Sequence, residues 1–187
     1  RSRRQRQMCI RDRTGRRLPL EQGPGGEDML LFLAEFEGDA GAICPRRLLH
    51  RTLDRAAGMG YDVYAALEYE FFMFRETPHS VRAKHYRNME NWTPGNFGYS
   101  MLRSTVEGDF YRKLLDMCER MDMPIEGLHT ETGPGVLEAA IAVDQAAAAG
   151  DKAFLFKTFT KALAQQNGLM ATFMAKWSHD HPGQSGH

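Results

Sequence analysis

Residues 62–74 read DVYAALEYEFFMF, an extended-looking run with aromatic and apolar side chains on both faces, broken only by Glu68 and Glu70. The composition and length predict a strand. Strand side chains alternate in direction, so two glutamates two residues apart project from one face as neighbours. Among apolar residues they repel each other and lose hydration, a cost that falls away only if a cation sits between them. Any fold for this chain must therefore give that strand one covered face and one that tolerates paired charge.

The rest of the sequence supplies a second pair. Residues 124–131 (PIEGLHTE) predict another strand, GPG at 133–135 a tight turn, and 136–143 (VLEAAIAV) a third strand. Glu131 and Glu138 flank that turn, which sets them on neighbouring strands. Hard divalent cations such as Mg2+ or Mn2+ take oxygen ligands and bind strongly where several carboxylates converge. Taken singly, each glutamate is equally an ordinary strand-edge residue; the pairing is what favours a metal site.

Around these strands the punctuation predicts an α+β order. Residues 29–38 (MLLFLAEFEG) read as a strand ended by Gly38 and Asp39. Pro45 opens a helix with Leu48, Leu49, Leu53 and Ala56 at helical spacing, closed by Gly58 and Gly60. Residues 76–96 read as a long loop. Residues 108–123 form an amphipathic helix with Phe110, Leu114, Met117 and Met121 as its stripe. An Ala-rich helix follows over 144–167, then a strand over 170–177 and a closing loop.

Charge and cysteine usage narrow the class. The 24 basic and 24 acidic residues cancel, giving no global attraction to nucleic acid or to an anionic membrane. Residues 1–17 hold eight Arg and one Asp, which leaves 18–187 acidic by seven charges and suited to cations. That basic start has no usable periodicity and is expected to be a disordered or artefactual tail rather than a nucleic-acid arm. Cys9, Cys44 and Cys118 lack metal-type spacing and, with eleven Met, suggest buried, inert thiols in a reducing cytoplasm. No apolar run reaches membrane-spanning length. His179 and His181 form an H-x-H pair without the further ligands that zinc requires, and read as solvated loop residues.

Three segments, EYEFFMF (68–74), GLHTETGPGVLE (127–138) and ATFMAKWSHDHPGQSGH (171–187), resemble in order and separation three successive signatures of glutamine synthetases. The resemblance runs from about Leu30 to His187. It implies a partial catalytic domain over 45–187, a curved and mainly antiparallel sheet backed by helices, preceded at 18–44 by a remnant of a small β-grasp-like N-terminal domain. It implies ATP and two or more Mg2+ or Mn2+ ions per site as cofactors, and a large ring-shaped, dodecamer-like homo-oligomer with sites at subunit boundaries.

Carried over position by position, Glu70, Glu131 and Glu138 look like ligands of the metal nearer glutamate, and Glu68 and His187 like ligands of the nucleotide-side metal. Tyr99 and Glu131 match positions that capture and deprotonate ammonium. Glu126 matches a nucleotide contact, His129 a histidine near the phosphates, and Ser185, between Gly183 and Gly186, a contact to glutamate. For His129 and Tyr99, a hydrogen-bonded strand histidine and a packed aromatic are the structural alternatives. The implied reaction joins ammonia to the γ-carboxylate of glutamate through a γ-glutamyl phosphate formed from ATP.

The sequence also departs from the family pattern. Val136 stands where a Gln is common, Ala175 where the ATFM strand continues with Pro, and Trp177 where a second Pro follows. These changes are similar to branches that ligate other amines, so methylamine or a polyamine is an alternative acceptor, and a catalytically silent structural relative is a further one. The family's later phosphate-binding arginines and remaining metal carboxylate lie beyond His187 in its pattern, so the chain by itself is expected to be inactive.

Overall fold

A computed structural model describes residues 8–10, 15–18 and 29–187. The first elements are short antiparallel pairs. Strand β1 (Met8–Ile10) pairs with β4 (Ala34–Phe36), and β2 (Arg16–Arg17) with β3 (Leu30–Leu31). The run 29–38 is thus two strands, each with its own partner, and part of the basic start is paired instead of lying wholly outside the fold. Its lack of periodicity concerns a segment by itself; backbone pairing to an apolar partner strand needs no periodicity.

A 3-10 turn (Gly38–Ile43) leads into helix α1 (Pro45–Gly58), with Pro45 in its first turn as expected. None of α1's residues is buried: Leu48 is exposed, and Leu49 lines a cavity of about 410 Å³ shared with Leu33, Phe36 and Phe154. Its predicted apolar stripe therefore borders open space instead of the main core. What fixes α1 is Arg46, which donates through Nε and Nη2 to Asp151 (2.7 and 2.9 Å) and through Nη1 to the buried Glu35.

The expected strand 62–74 is broken. Strand β5 (Tyr64–Ala65) pairs with β9 (Asp144–Gln145), and β6 (Glu68–Phe74) joins the main sheet, because the two halves face different partners. The loop 76–96 contains helix α2 (Pro78–Ala83), capped by reciprocal hydrogen bonds between Thr77 and Ser80, and helix α3 (Met101–Val106) follows, capped by Ser100. Helix α4 (Gly108–Arg120) buries Phe110, Leu114, Met117 and Cys118, with Met121 also buried just past its end, as the stripe predicted. Burial pushes the Cys118 thiol up to about 12, whereas Cys44 is lowered by backbone N–H groups led by that of Arg47 at the start of α1.

Strands β7 (Ile125–Thr130) and β8 (Val136–Ile141), helix α5 (Ala146–Gln166) and β10 (Met170–Thr172) complete the order. The strand expected over 170–177 stops at Thr172, where the Thr172 hydroxyl accepts the Met174 N–H. The main sheet runs β10-β6-β8-β7 and is antiparallel throughout. One face carries Phe71, Met73, Leu137, Ala139 and Ile141 into a core completed by α4 and α5. Alternation sends Glu68, Glu70, Phe72, Val136, Glu138 and Ala140 to the other face.

Past β6, Glu76 ties down the loop behind it. Its carboxylate, 1% exposed, accepts hydrogen bonds from Ser80 Oγ (2.6 Å), Lys84 Nζ (2.6 Å) and the Glu90 N–H (2.9 Å). Burial alone would raise its pKa, but Lys84, Ser80 and the amide outweigh burial and lower it from 4.5 to about 2. A depressed carboxylate stabilises the fold fully above its unfolded value and loses that contribution as pH falls through the folded one. Acid unfolding should therefore draw on this group between pH 4.5 and about 2. Glu76→Gln should lower stability at pH 7 by about 2 kcal/mol and flatten its pH dependence in that window, measured by urea melts across pH.

Candidate active site

The register of three strands builds the site. Glu70 on β6 lies opposite Glu138 on β8, and Glu138 lies opposite His129 on β7, forming a row across the sheet. Glu68 precedes Glu70 on the same face, and Glu131 follows His129 by two residues just beyond the end of β7. The acids that the sequence paired by spacing thus lie on one surface.

The turn between β7 and β8 holds this geometry because of its glycines. Gly135 has φ +72°, and a Cβ there would stand 2.5 Å from the Met73 carbonyl oxygen, so only glycine lets the turn lie against the end of β6. The Gly135 carbonyl accepts the Met73 N–H at 2.8 Å, and its N–H donates to Thr93 Oγ1 at 3.2 Å. β6 and the turn are locked together, and the Glu70–Glu138 pairing with them.

His129 sits within the acids. Its Nε2 is 3.1 Å from Glu138 Oε2 and 3.3 Å from Glu131 Oε1. Tyr99 stacks on the imidazole with ring centroids 4.8 Å apart. Thr130 fixes that ring: its carbonyl accepts the Tyr99 N–H at 2.7 Å and its hydroxyl accepts the Ser100 N–H at 2.8 Å, while Tyr99 takes a left-handed backbone (φ 54°). On the other side of the row, Ser185 donates its N–H to Glu70 Oε2 (2.7 Å), and His187 Nδ1 lies 3.5 Å from Glu68 Oε2.

The electrostatics follow from crowding. Burial raises the Glu138 carboxyl, and the Glu131, Glu70 and Glu68 charges push it the same way, against the lowering effect of His129. Glu131 is lowered, first by the Tyr99 hydroxyl and then by the Thr132 N–H and His129; Tyr99 is raised in turn by Glu131. Among the described residues no Lys or Arg forms an ion pair with Glu68, Glu70, Glu131 or Glu138. The two imidazoles beside them, His129 and His187, can offset at most two of these four charges.

A divalent cation fits this donor set. His129, Glu131 and Glu138 each offer a ligand atom, all within 4.8 Å of one another, close to the separation of donors on opposite sides of a small cation. The carboxylate oxygens suit Mg2+ or Mn2+, whereas an imidazole also suits Zn2+ and its neighbours; this cluster has His129 in the place of the Glu70 expected as the third ligand beside Glu131 and Glu138.

The sequence of the glutamine synthetase catalytic domain matches residues 42–187. The chain belongs to the glutamine synthetase family. It is 41% identical over 167 residues to type-1 glutamine synthetase 2 of Dictyostelium discoideum, covering 88% of this chain and 32% of that protein. It is 31% identical over 159 residues to glutamate–isopropylamine ligase of a Pseudomonas species, covering 85% of this chain and 35% of the relative. The chain thus spans about a third of the length of these curated relatives. Its fold matches Plasmodium falciparum glutamine synthetase with a TM-score of 0.77 at 17% identity, over 96% of this chain and 40% of the other. The α+β arrangement is that of the glutamine synthetase fold.

Of the residues expected from sequence, the structure gathers Glu68, Glu70, Glu131, Glu138, His129, Tyr99, Ser185 and His187 around one face. Glu126 stands apart from these contacts, exposed at a bulge in β7 between Ile125 and Gly127. Thr130, which orients Tyr99, carries no sequence signal, because its partner lies 30 residues away in the chain. Glu138→Gln removes one repelling charge, so the metal-free protein should melt no lower than the parent while its Mn2+ affinity falls by about 10- to 100-fold in a calorimetric titration. A simple structural glutamate would give the opposite pattern.

Proposed function

We propose that this chain carries the front part of a site that ligates ammonia to the γ-carboxylate of glutamate at the expense of ATP, through γ-glutamyl phosphate. The observation that carries the reading is the convergence of Glu68, Glu70, Glu131 and Glu138 on one sheet face without a Lys or Arg partner among the described residues. In this reading Glu70, Glu131 and Glu138 hold the cation nearer glutamate, and Glu68 and His187 the one nearer the nucleotide. Bound there, divalent cations supply positive charge that offsets the phosphate oxygens during attack by the γ-carboxylate. This reading assigns phosphate oxygens to His129, which already lies against two of the acids, and the nucleotide to Glu126, which is exposed apart from the acid row.

The acceptor side is built by Tyr99 and Glu131. A lowered Glu131 stays ionised, and with the Tyr99 ring beside it offers an anionic cup for ammonium, which must give a proton to the Glu131 carboxylate before its nitrogen has a lone pair with which to attack the activated carbonyl and displace phosphate. Ser185, donating to Glu70, borders the region proposed for glutamate. The complete site is proposed to form at a subunit boundary of a homo-oligomer in a reducing cytoplasm. No described helix is long and apolar enough to cross a membrane.

The likeness to glutamate–isopropylamine ligase favours a second reading with the same chemistry and an alkylamine acceptor. In an enzyme carrying this chain at the length of its relatives, phosphate release should require ATP, glutamate, Mg2+ or Mn2+, and ammonium. Glu131→Gln should reduce kcat/KM by about 100-fold or more. Faster release with isopropylamine than with ammonium would move the assignment to the amine ligases. No amine-dependent release at all would leave a catalytically silent relative.

A further inference from the structure

After β10 the chain leaves the sheet and comes back to the same strand. Met170–Thr172 pair with the Phe72–Phe74 half of β6. Residues 185–187 then run beside its other half: the Glu68 N–H donates to the His187 carbonyl at 3.0 Å, the Glu70 N–H to that of Ser185 at 3.4 Å, and Gly186 bridges Tyr69. Through this return the Ser185 N–H reaches the Glu70 carboxylate and His187 reaches Glu68.

The excursion between the two pairings is anchored first at Phe173, whose ring stacks on Phe71 (5.0 Å) and meets Tyr69 edge-on (5.4 Å) on the core face, but from Met174 onward little holds it. Met174, Ala175, Lys176, His179 and Asp180 are exposed, and one backbone hydrogen bond, from Gln184 N–H to the Ala175 carbonyl at 2.8 Å, closes its base. Trp177 is different. Its indole packs edge-on against Phe74 (4.9 Å, 88°) and Phe72 (6.3 Å, 70°), both fully buried, and carries His181 at 5.5 Å. Phe72 is two residues from Glu70 on the same face, so the anchor lies one side-chain repeat, about 7 Å, from the acid row. The indole Nε1 is buried with no hydrogen-bond partner, so ring packing is what fixes it.

We propose that Trp177 is a positioning residue for the acid row: beyond the Phe173 anchor, by docking on Phe72 and Phe74, it fixes the 174–187 loop so that Ser185 meets Glu70 and His187 meets Glu68. The consequence for metal binding rests on the ligase reading above; the positioning itself does not. Because the N–H makes no bond, a phenylalanine should substitute for the tryptophan.

Hydrogen exchange on the metal-free protein, read by mass spectrometry, tests the positioning. Trp177→Ala should speed exchange at the amides of Glu68, Glu70 and Ser185 by about tenfold or more while leaving β8 protected, and Trp177→Phe should restore most of that protection. In an Mn2+ titration followed by electron paramagnetic resonance, the Ala variant should bind about tenfold more weakly and the Phe variant close to the parent. If the Ala variant does not fold, Trp177→Leu, which lacks the ring edge, is read in the same way and should also exchange faster. Parent-like protection at Ser185 in the folded Ala or Leu variant overturns the proposal. Absence of Mn2+ binding in the parent overturns the metal reading alone, since the exchange measurement still decides the role of Trp177.

Discussion

The site depends on the antiparallel register that sets Glu70 opposite Glu138. Two carboxylates on directly opposed strand positions, at ~5 Å and an effective dielectric of about 20, repel by ~3 kcal/mol. Slipping the strands by one residue would relieve that repulsion, but it would also turn every side chain to the other face. Phe71, Met73, Leu137 and Ile141, buried behind the acids, would be exposed, at about 1.5–3 kcal/mol each. Core burial therefore outweighs the repulsion and holds the acids together. The cation proposed for this cluster would meet charge whose cost is already offset by packing on the opposite face, and would convert that repulsion into affinity.

This balance explains which parts of the molecule were legible in its sequence. The acid pairs, the α4 stripe and the GPG turn are repeating or punctuated local signals, and each appears where spacing placed it. Helices α2 and α3 escaped because neither has a stripe long enough to show a period; the Thr77-Pro78-x-Ser80 cap of α2 and the Ser100 cap of α3 were their local cues. The break after Ala65 is equally invisible, since residues 63–67 are apolar and only the choice of partner, β9 or β8, divides the run. Glu126 shows the limit of alternation: the bulge beside it shifts the register, so its place relative to His129 cannot be counted from the sequence.

His129 illustrates a different limit. Its spacing from Glu131 puts both on one side of a strand, which the sequence reveals, but its contact with Glu138 depends on how β7 pairs with β8. Tyr99 depends on more. Its ring reaches His129 only because Thr130 binds two successive amides of a loop, and nothing in either segment announces the other. Side chains within one element, or on strands joined by a tight turn such as Glu131 and Glu138, could be read from spacing; contacts between elements distant in the chain could not.

The site accordingly divides into two kinds of residue. Glu68, Glu70, Glu138 and His129 project from strands whose opposite faces are packed, and their positions follow from the sheet. Tyr99, Ser185 and His187 come from exposed loops, and their positions follow from a few hydrogen bonds and the Trp177 anchor. Val136 and Trp177, two places where the sequence departs from the common family pattern, meet in one cluster with Phe72 and Phe74. The departures thus lie beneath the loop and beside the acids, leaving the acids themselves intact. Changes there can reshape the surroundings of the acid row without disturbing its charge. In this chain such a loop accommodates change more easily than the sheet, because altering the sheet would cost the core that keeps the acids in register.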